Sequence, residues 1–250
     1  MLSECTNFVI LAAPRTGSNM LCTMLNSHPG ILCHHEVFNP QAIYYALNLR
    51  EGEFNLGTVA QRDRDPVEFI RRLWTSRLGH ACVGFKMTRG QNQVALQEVL
   101  RDRQVKKIVL RRHNRVKTYV SWLIAERTGQ WEAYRAADIA GSRPMVWVDE
   151  TALREHNALN DQYYLAIERE LRETGQRALD VAYEDLFGHA ERLRVLRFLG
   201  SGELEDAGLA EPRSVKQNAS DLRELVCNFE ELASAWSGTS LGEQLQSREN

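Results

Sequence analysis

Apolar and polar residues alternate along the chain in two patterns, one typical of buried strands and one typical of helices. Residues 8–13 form a continuous apolar run rich in branched side chains, which is typical of a central strand in a parallel sheet. Pro14 cannot donate a hydrogen bond within a sheet, so this strand should end there. Gly17 permits a sharp turn, and apolar residues recur at helical spacing over residues 20–25. This stretch is therefore predicted to form a strand, a tight turn and a helix.

The same alternation continues along the rest of the chain. Further strands are predicted at residues 31–36, 82–87, 107–110 and 178–183. Helices are predicted within residues 40–78, around 95–100, from 116, and at 159–171, 193–199 and 222–232. Strands that alternate with helices predict an α/β fold, with a parallel sheet, helices on both faces and right-handed crossovers. We expect Leu159 on the buried face of the long helix, and the strand from Ile31 beside the first strand.

Length and composition favour one globular unit. The 250 residues are 43% hydrophobic, which is enough for one substantial core, so residues 1–250 are predicted to be a single domain. Residues 126–158 include Gly129, Gly141 and Pro144. We predict that they form an insert that covers the site or shapes the acceptor pocket.

Charge and cysteine content narrow the class of protein. The net charge of −2 excludes a globally basic nucleic-acid-binding protein, although it permits a local basic pocket. No apolar run reaches the roughly 18 residues that a membrane-spanning helix needs, and residues 1–7 lack the basic cluster of a secretion signal. The five cysteines are scattered without C-x-x-C spacing. They favour reduced thiols in a cytoplasmic protein, with no metal site.

The first predicted turn carries the pattern Pro14-Arg15-Thr16-Gly17-Ser18-Asn19. Ser18 or Asn19 can cap the helix that follows, and free N–H groups at a helix N-terminus favour an anion. The turn differs from triphosphate-binding loops, in which lysine and a hydroxyl residue follow the last glycine. Here the cation is Arg15, two residues before Gly17. On its own, the pattern also fits an ordinary turn with an incidental arginine.

A second basic segment ends the strand at residues 107–110. Arg111 and Arg112 follow this strand, and Ser121 lies on the next predicted helix. Because parallel sheets bind ligands at the carboxyl ends of their strands, these groups can converge on a dianion. A solvated basic surface at the start of a helix explains the same residues equally well.

Two later segments complete the set. Tyr183 ends the last predicted strand and is followed by two acidic residues and a leucine. A basic and polar loop precedes the apolar residues at 222–232. That loop contains Ser214, Lys216, Gln217 and Asn218.

Together, these four segments resemble sulfotransferases that use 3′-phosphoadenosine 5′-phosphosulfate (PAPS), and most closely the bacterial carbohydrate sulfotransferases of the trehalose or lipopolysaccharide type. The segment from Pro14 to Asn19 resembles the phosphosulfate-binding loop of that family. In the family's 3′-phosphate motif, arginine precedes serine by eight residues, whereas here His113 stands eight before Ser121. Either Arg112 takes the arginine's role, or His113 shares it. The resemblance also implies that Tyr183 lies beside the adenine. It further implies that the loop with Ser214, Lys216, Gln217 and Asn218 closes over the adenosine.

The resemblance implies sulfuryl transfer from PAPS to an acceptor hydroxyl, which releases adenosine 3′,5′-bisphosphate and needs no metal. Arg15 and the backbone N–H groups of residues 16–19 would stabilise the departing charge, and Lys86 would contact the transferred group. Glu36 resembles the carboxylate base of the bacterial enzymes, with His34 and His35 as rivals because histidine titrates near neutrality. Partial burial should raise the pKa of Glu36.

The acceptor implied by the resemblance is a sugar or a glycolipid, in a pocket shaped by residues 40–78 and 126–158. The sequence leaves the oligomeric state open, a homodimer included. Two other classes of protein remain. One is a P-loop kinase or nucleotidase, which the missing lysine and hydroxyl pair disfavours. The other is a non-catalytic nucleotide-binding protein, in which we would expect Arg15 or Lys86 to be lost.

Overall fold

The computed structural model describes residues 5–139, 144–200 and 217–248. These residues contain a sheet of five strands that all run parallel. The strands are β1 (Thr6–Ala12), β2 (Ile31–His34), β3 (Cys82–Thr88), β4 (Val105–Arg111) and β5 (Leu179–Ala182). Their order across the sheet is β2-β3-β1-β4-β5. The predicted α/β fold with a parallel sheet is therefore confirmed.

Helices cover both faces of this sheet. Those described are α1 (Ser18–Leu25), α2 (Val59–Arg64), α3 (Pro66–Thr75), α4 (Gln93–Arg101), α5 (Arg115–Thr128), α6 (Glu150–Glu173), α7 (His189–Leu199), α8 (Phe229–Ala235) and α9 (Ser240–Gln246). Val9 and Leu11 of β1 face a core built with α3, α4 and α6. Phe8 and Ile10 face the opposite core, built with α1 and α7. Because side chains alternate along a strand, β1 contributes to both cores, and it is buried from Phe8 to Ala12.

A third apolar cluster lies beside the sheet and fixes the C-terminal helices. Val116 and Ile124 of α5 pack there with Leu222, Phe229 and other residues of the C-terminal segment. Val146 forms a parallel bridge with Val226. The segment that begins at Gln217 is thereby held against α5, next to the carboxyl edge of the sheet.

Several expected elements differ from those observed. β2 pairs with β3 rather than with β1, because the seven-residue β3 pairs with β1 along its whole length and leaves the four-residue β2 at the edge of the sheet. Residues 40–46 are not helical, and residues 222–232 form a short 3-10 turn and then α8. Leu159 is 48% exposed. α6 instead buries Asn160 and Tyr164 with the rest of its inner face.

The predicted insert at residues 126–158 overlaps α5 and α6, so only residues 129–149 connect these two helices. No helix in the described ranges is both long enough and apolar enough to cross a membrane.

Candidate functional site

The turn between β1 and α1 has an unusual backbone. Both Arg15 (φ 66°) and Gly17 (φ 89°) have left-handed conformations. Gly17 is the N-cap residue of α1 and Ser18 is its first helical residue, so neither Ser18 nor Asn19 caps the helix as predicted. The N-terminal N–H groups of α1 therefore have no side-chain cap, and an anion can accept hydrogen bonds from them.

Tyr183 packs directly against Gly17. A Cβ atom on residue 17 would lie 2.2 Å from Cδ2 of the Tyr183 ring, so only glycine fits there. The sequence predicted that Tyr183 ends the last strand. In the structure β5 ends at Ala182, and Tyr183 begins the 3-10 turn that follows. The Arg112 guanidinium lies 4.6 Å from the centre of the Tyr183 ring, and Phe187 meets this ring edge-on at 5.5 Å.

The Arg15 side chain extends from the turn toward α5. Its Nε donates to Ser121 Oγ at 2.9 Å and its Nη2 donates to Gln217 Oε1 at 3.1 Å. Its Nη1 donates to the backbone carbonyl of Trp131. Asn218 Nδ2 also donates to Ser121 Oγ, at 3.2 Å. Arg15 therefore joins the turn to α5, to the segment after α5 and to the segment at residues 217–218.

Lys86 lies on the other side of the turn. Its Nζ is 2.8 Å from Glu36 Oε1 and donates to Asn19 Oδ1 at 2.5 Å and to Ser18 Oγ at 3.5 Å. The second Glu36 oxygen, Oε2, accepts hydrogen bonds from Asn39 Nδ2 at 2.8 Å and Gln91 Nε2 at 2.9 Å. The Lys86 ammonium thus contacts the start of α1 and the Glu36 carboxylate at the same time.

These contacts reverse the expected shift of the Glu36 pKa. Burial acts to raise the pKa of this carboxyl, as expected from the sequence. The charge and hydrogen bond of Lys86, the hydrogen bond of Asn39 and the charge of Arg15 outweigh burial. The pKa of Glu36 is therefore lowered from its ordinary value of 4.5, and the carboxylate is ionised at neutral pH.

His35 is buried beside this ion pair. Its Nδ1 lies 3.3 Å from Asn19 Oδ1 and 3.2 Å from the Tyr134 hydroxyl, which itself donates to Glu132 Oε2 at 2.5 Å. Burial, followed by the charges of Lys86, Arg50 and His34, holds the pKa of His35 well below 6.5, so the ring is neutral at neutral pH. His34 packs with Tyr45 and Phe54, and burial followed by the charge of His80 lowers its pKa to about 3.

One cavity of about 940 Å³ contains both groups of side chains. Its lining includes many of the residues predicted for the site: Pro14, Arg15, Gly17, Ser18, Asn19, His35, Glu36, Lys86, Arg112, Ser121, Tyr183, Gln217 and Asn218. Thr16 is instead turned inward, where its hydroxyl donates to the carbonyl of Ala13.

The other predicted residues lie elsewhere. Arg111 pairs with Glu168 at 2.6 Å and stacks over Tyr164. His113 is 73% exposed and lies 3.6 Å from Glu184. Ser214 and Lys216 are outside the described residues. Of the three basic residues at the end of β4, Arg112 is therefore the one that lines the cavity.

Other residues that were not predicted from the sequence also line the cavity. Lys117 is 4% exposed and lies one helical turn before Ser121, so both face the cavity from α5. Its i,i+4 spacing to Ser121 was the signal that could have identified it. Trp131 and Glu132 line the cavity from the segment between α5 and α6. Among residues 5–139, 144–200 and 217–248, no group of three or more His, Cys, Asp or Glu side chains is arranged to hold a metal ion.

No protein-family model matches the chain, and no curated protein sequence matches it. Among solved structures, it is similar to a sulfotransferase from Alicyclobacillus acidocaldarius, with 16% identity, a TM-score of 0.48 and coverage of 96% of this chain and 94% of that chain. It is also similar to a mouse sulfotransferase complexed with PAP, with 14% identity, a TM-score of 0.41 and coverage of 92% and 67%. Both likenesses are too distant to assign a function to this chain.

The left-handed backbone at Arg15 can be tested by stability. Arg15→Gly and Arg15→Ala remove the same side-chain contacts, but alanine keeps a Cβ that crowds the backbone at this φ. We expect the free energy of unfolding of Arg15→Gly to exceed that of Arg15→Ala by roughly 1 kcal/mol. Urea denaturation of both variants measures this difference.

The matched control is Arg71, an exposed residue of α3. There the order should reverse, with the glycine variant less stable than the alanine variant. Arg15→Gly less stable than Arg15→Ala would contradict the left-handed conformation.

Proposed function

We propose that the protein is a sulfotransferase that moves a sulfuryl group from PAPS to a hydroxyl group of a sugar or glycolipid acceptor. One observation supports this function above all. A single cavity combines an anion-binding turn, cations on both sides of that turn, and an ionised carboxylate 2.8 Å from one of those cations. The proposal includes a cytoplasmic location and a reaction without metal, and it leaves the oligomeric state open.

The cavity suits a nucleotide with two anionic groups. Ligand pockets typically have volumes of about 300–1,000 Å³, so a cavity of about 940 Å³ has room for a nucleotide and part of an acceptor. The N-terminus of α1 with Lys86 would hold the 5′-phosphosulfate. Arg112 and Ser121 would hold the 3′-phosphate, and the Tyr183 ring would lie beside the adenine. Gln217 and Asn218 would close over the adenosine, together with Ser214 and Lys216.

Arg15 stands between these two groups. The resemblance implied that Arg15 stabilises the negative charge on the departing phosphate. Its Nε, however, donates to Ser121 Oγ, and Ser121 is one of the residues proposed to bind the 3′-phosphate. A guanidinium carries five donors in a planar fork. Arg15 can therefore stabilise both the 5′-phosphosulfate and the 3′-phosphate, because it lies in the turn and its side chain extends to α5.

The donor supplies a sulfuryl group that is activated by its bond to phosphate. In the transfer, Glu36 accepts the proton of the acceptor hydroxyl while the hydroxyl oxygen bonds to sulfur. The electrons of the broken sulfur–oxygen bond stay on the phosphate oxygen. Lys86, Arg15 and the first N–H groups of α1 stabilise that negative charge. Such electrostatic stabilisation is usually the largest contribution of a preorganised site to catalysis.

The end of the cavity beside Glu36 favours a polyhydroxylated acceptor. Asn39 and Gln41 present amides there, and Gln130 adds another amide to the cavity lining. Amides can both donate to and accept from hydroxyl groups. Tyr44 and Trp131 add aromatic surface to the same walls. Residues 129–133 belong to the segment between α5 and α6, and we propose that this segment shapes the acceptor pocket.

Ligand binding tests the function most simply. Adenosine 3′,5′-bisphosphate in excess EDTA should raise the melting temperature, since a ligand at 100 times its Kd adds about 2.7 kcal/mol of stability. Magnesium-ATP should raise it less. Stabilisation by magnesium-ATP alone, lost on chelation, would favour a P-loop kinase instead.

Arg112 should contribute to the binding of adenosine 3′,5′-bisphosphate but not of 5′-AMP, which lacks the 3′-phosphate. Arg112→Ala should weaken adenosine 3′,5′-bisphosphate binding by roughly 1.5–3 kcal/mol, because a charge-assisted hydrogen bond is lost. Binding of 5′-AMP should change little. Isothermal titration calorimetry measures both affinities.

His113→Ala is the matched control, because His113 is exposed and next in sequence. It should leave both affinities unchanged. If His113→Ala weakens bisphosphate binding and Arg112→Ala does not, the assignment of Arg112 is wrong.

Glu36→Gln tests the general base. Glutamine keeps the shape of the side chain and loses its basicity, and a positioned base contributes about 10²–10⁴-fold. We expect kcat to fall by that factor while the variant still binds adenosine 3′,5′-bisphosphate. His35→Ala is the companion variant. A larger loss of kcat in His35→Ala than in Glu36→Gln would assign the proton transfer to histidine.

A further inference from the structure

The Lys86 ammonium has its three N–H donors directed at three acceptors. They are Asn19 Oδ1 at 2.5 Å, Glu36 Oε1 at 2.8 Å and Ser18 Oγ at 3.5 Å. Lysine has three donors, and Lys86 is only 3% exposed. If a further anion binds this nitrogen, Lys86 must therefore weaken or lose its contact with one of these three acceptors.

Glu36 depends on the same nitrogen for its charge partner. Its other oxygen, Oε2, is held by the neutral amides of Asn39 and Gln91. The charges that act on Glu36 are Lys86 on β3 and, more weakly, Arg15 in the turn, while the adjacent His35 is neutral at neutral pH. Lys86 is thus the main group that suppresses the basicity of this carboxylate.

We propose that Lys86 couples donor binding to activation of the base: an anion at the start of α1 draws the ammonium away from Glu36 and frees that carboxylate to accept a proton. This inference rests on the proposed function. Lys86 is a positioning residue for the base as well as a ligand of the donor. In the free protein the base is held by its ion pair, and it becomes competent when the donor site is filled.

The geometry requires this competition. An anion on the N-terminal N–H groups of α1 lies beside Ser18 and Asn19, both of which Lys86 already contacts. A phosphate or phosphosulfate carries at least as much charge as a carboxylate, and its attraction is strong in a site that excludes water. The amides of Asn39 and Gln91 keep Glu36 in place while the ammonium moves, so the carboxylate stays at the acceptor end of the cavity.

Coupling of this kind is reciprocal. If the donor raises the proton affinity of Glu36 through Lys86, then loss of the Glu36 charge must raise the affinity for the donor by the same factor. Two independent measurements therefore report one coupling, and neither of them requires turnover.

The first measurement is the pKa of Glu36, followed by carbon-13 NMR of protein labelled at glutamate, with the signal assigned from Glu36→Gln. It is made with and without saturating adenosine 3′,5′-bisphosphate, in the wild type and in Lys86→Met. A bound dianion raises the pKa through space in both proteins. We expect the rise in the wild type to exceed that in Lys86→Met by about one pH unit, a tenfold change in proton affinity.

The second measurement is the bisphosphate affinity of Glu36→Gln, which keeps the test open if Lys86→Met does not fold. Glu36→Gln should bind more than tenfold more tightly than the wild type, because by reciprocity its gain in affinity matches the whole rise in the wild-type pKa, the through-space part included. The control is Glu168→Gln, whose carboxylate pairs with Arg111 on the other side of β4 and should leave the affinity unchanged.

Equal pKa rises in the wild type and Lys86→Met, or a Glu36→Gln variant that binds no more tightly, would overturn the coupling while the proposed function stands. Absence of bisphosphate binding to the wild type would overturn both.

Discussion

The site depends on one constraint, the parallel course of the strands. Parallel strands bring their carboxyl ends to one edge of the sheet, and β1 lies between β3 and β4. The turn after β1 is therefore flanked by the end of β3, with Lys86, and by the end of β4, with Arg112. Residues that are about 70 and 100 positions apart along the chain meet at one helix N-terminus because of this order.

The charges at this edge of the sheet then determine which ligands it can bind and which chemistry it can support. Cations gather on both sides of the turn, with Arg15, Arg112 and Lys117 toward α5 and Lys86 toward β2. Burying a charge such as Lys86 is costly unless it is paired and hydrogen-bonded. Glu36 offsets that cost in the free protein, and it becomes the base in the reaction that we propose. One ion pair thus links the stability of the site to its chemistry.

Much of this arrangement could be predicted from the sequence. The apolar runs and the turn residues predict the strands, and strand ends predict which side chains share an edge, so Gly17, Glu36 and Lys86 are placed correctly at one edge. The order of the strands could not be predicted in the same way, because β2 and β3 have similar patterns and are both fully buried, and they differ only in length. Leu159 was misplaced for a geometric reason. A strict four-residue spacing drifts by about 40° at each step around a helix, and over three steps it leaves the buried face.

Side-chain contacts across the site could not be read from local patterns. The direction of Arg15 toward Ser121 depends on α5 and on Gln217. The lowered pKa of Glu36 depends on the distance to Lys86, whereas burial alone predicts a raised one. Tyr134 and Glu132 contribute to the site through the position of the segment after α5, which carries no pattern of its own.

The most direct test of the account is transfer of a radiolabelled sulfuryl group from PAPS to a panel of sugars, glycolipids and phenols, with EDTA present. The account predicts a labelled sugar or glycolipid sulfate ester with the wild-type protein. Absence of label in every acceptor, together with transfer of phosphate from magnesium-ATP to any of them, would contradict it.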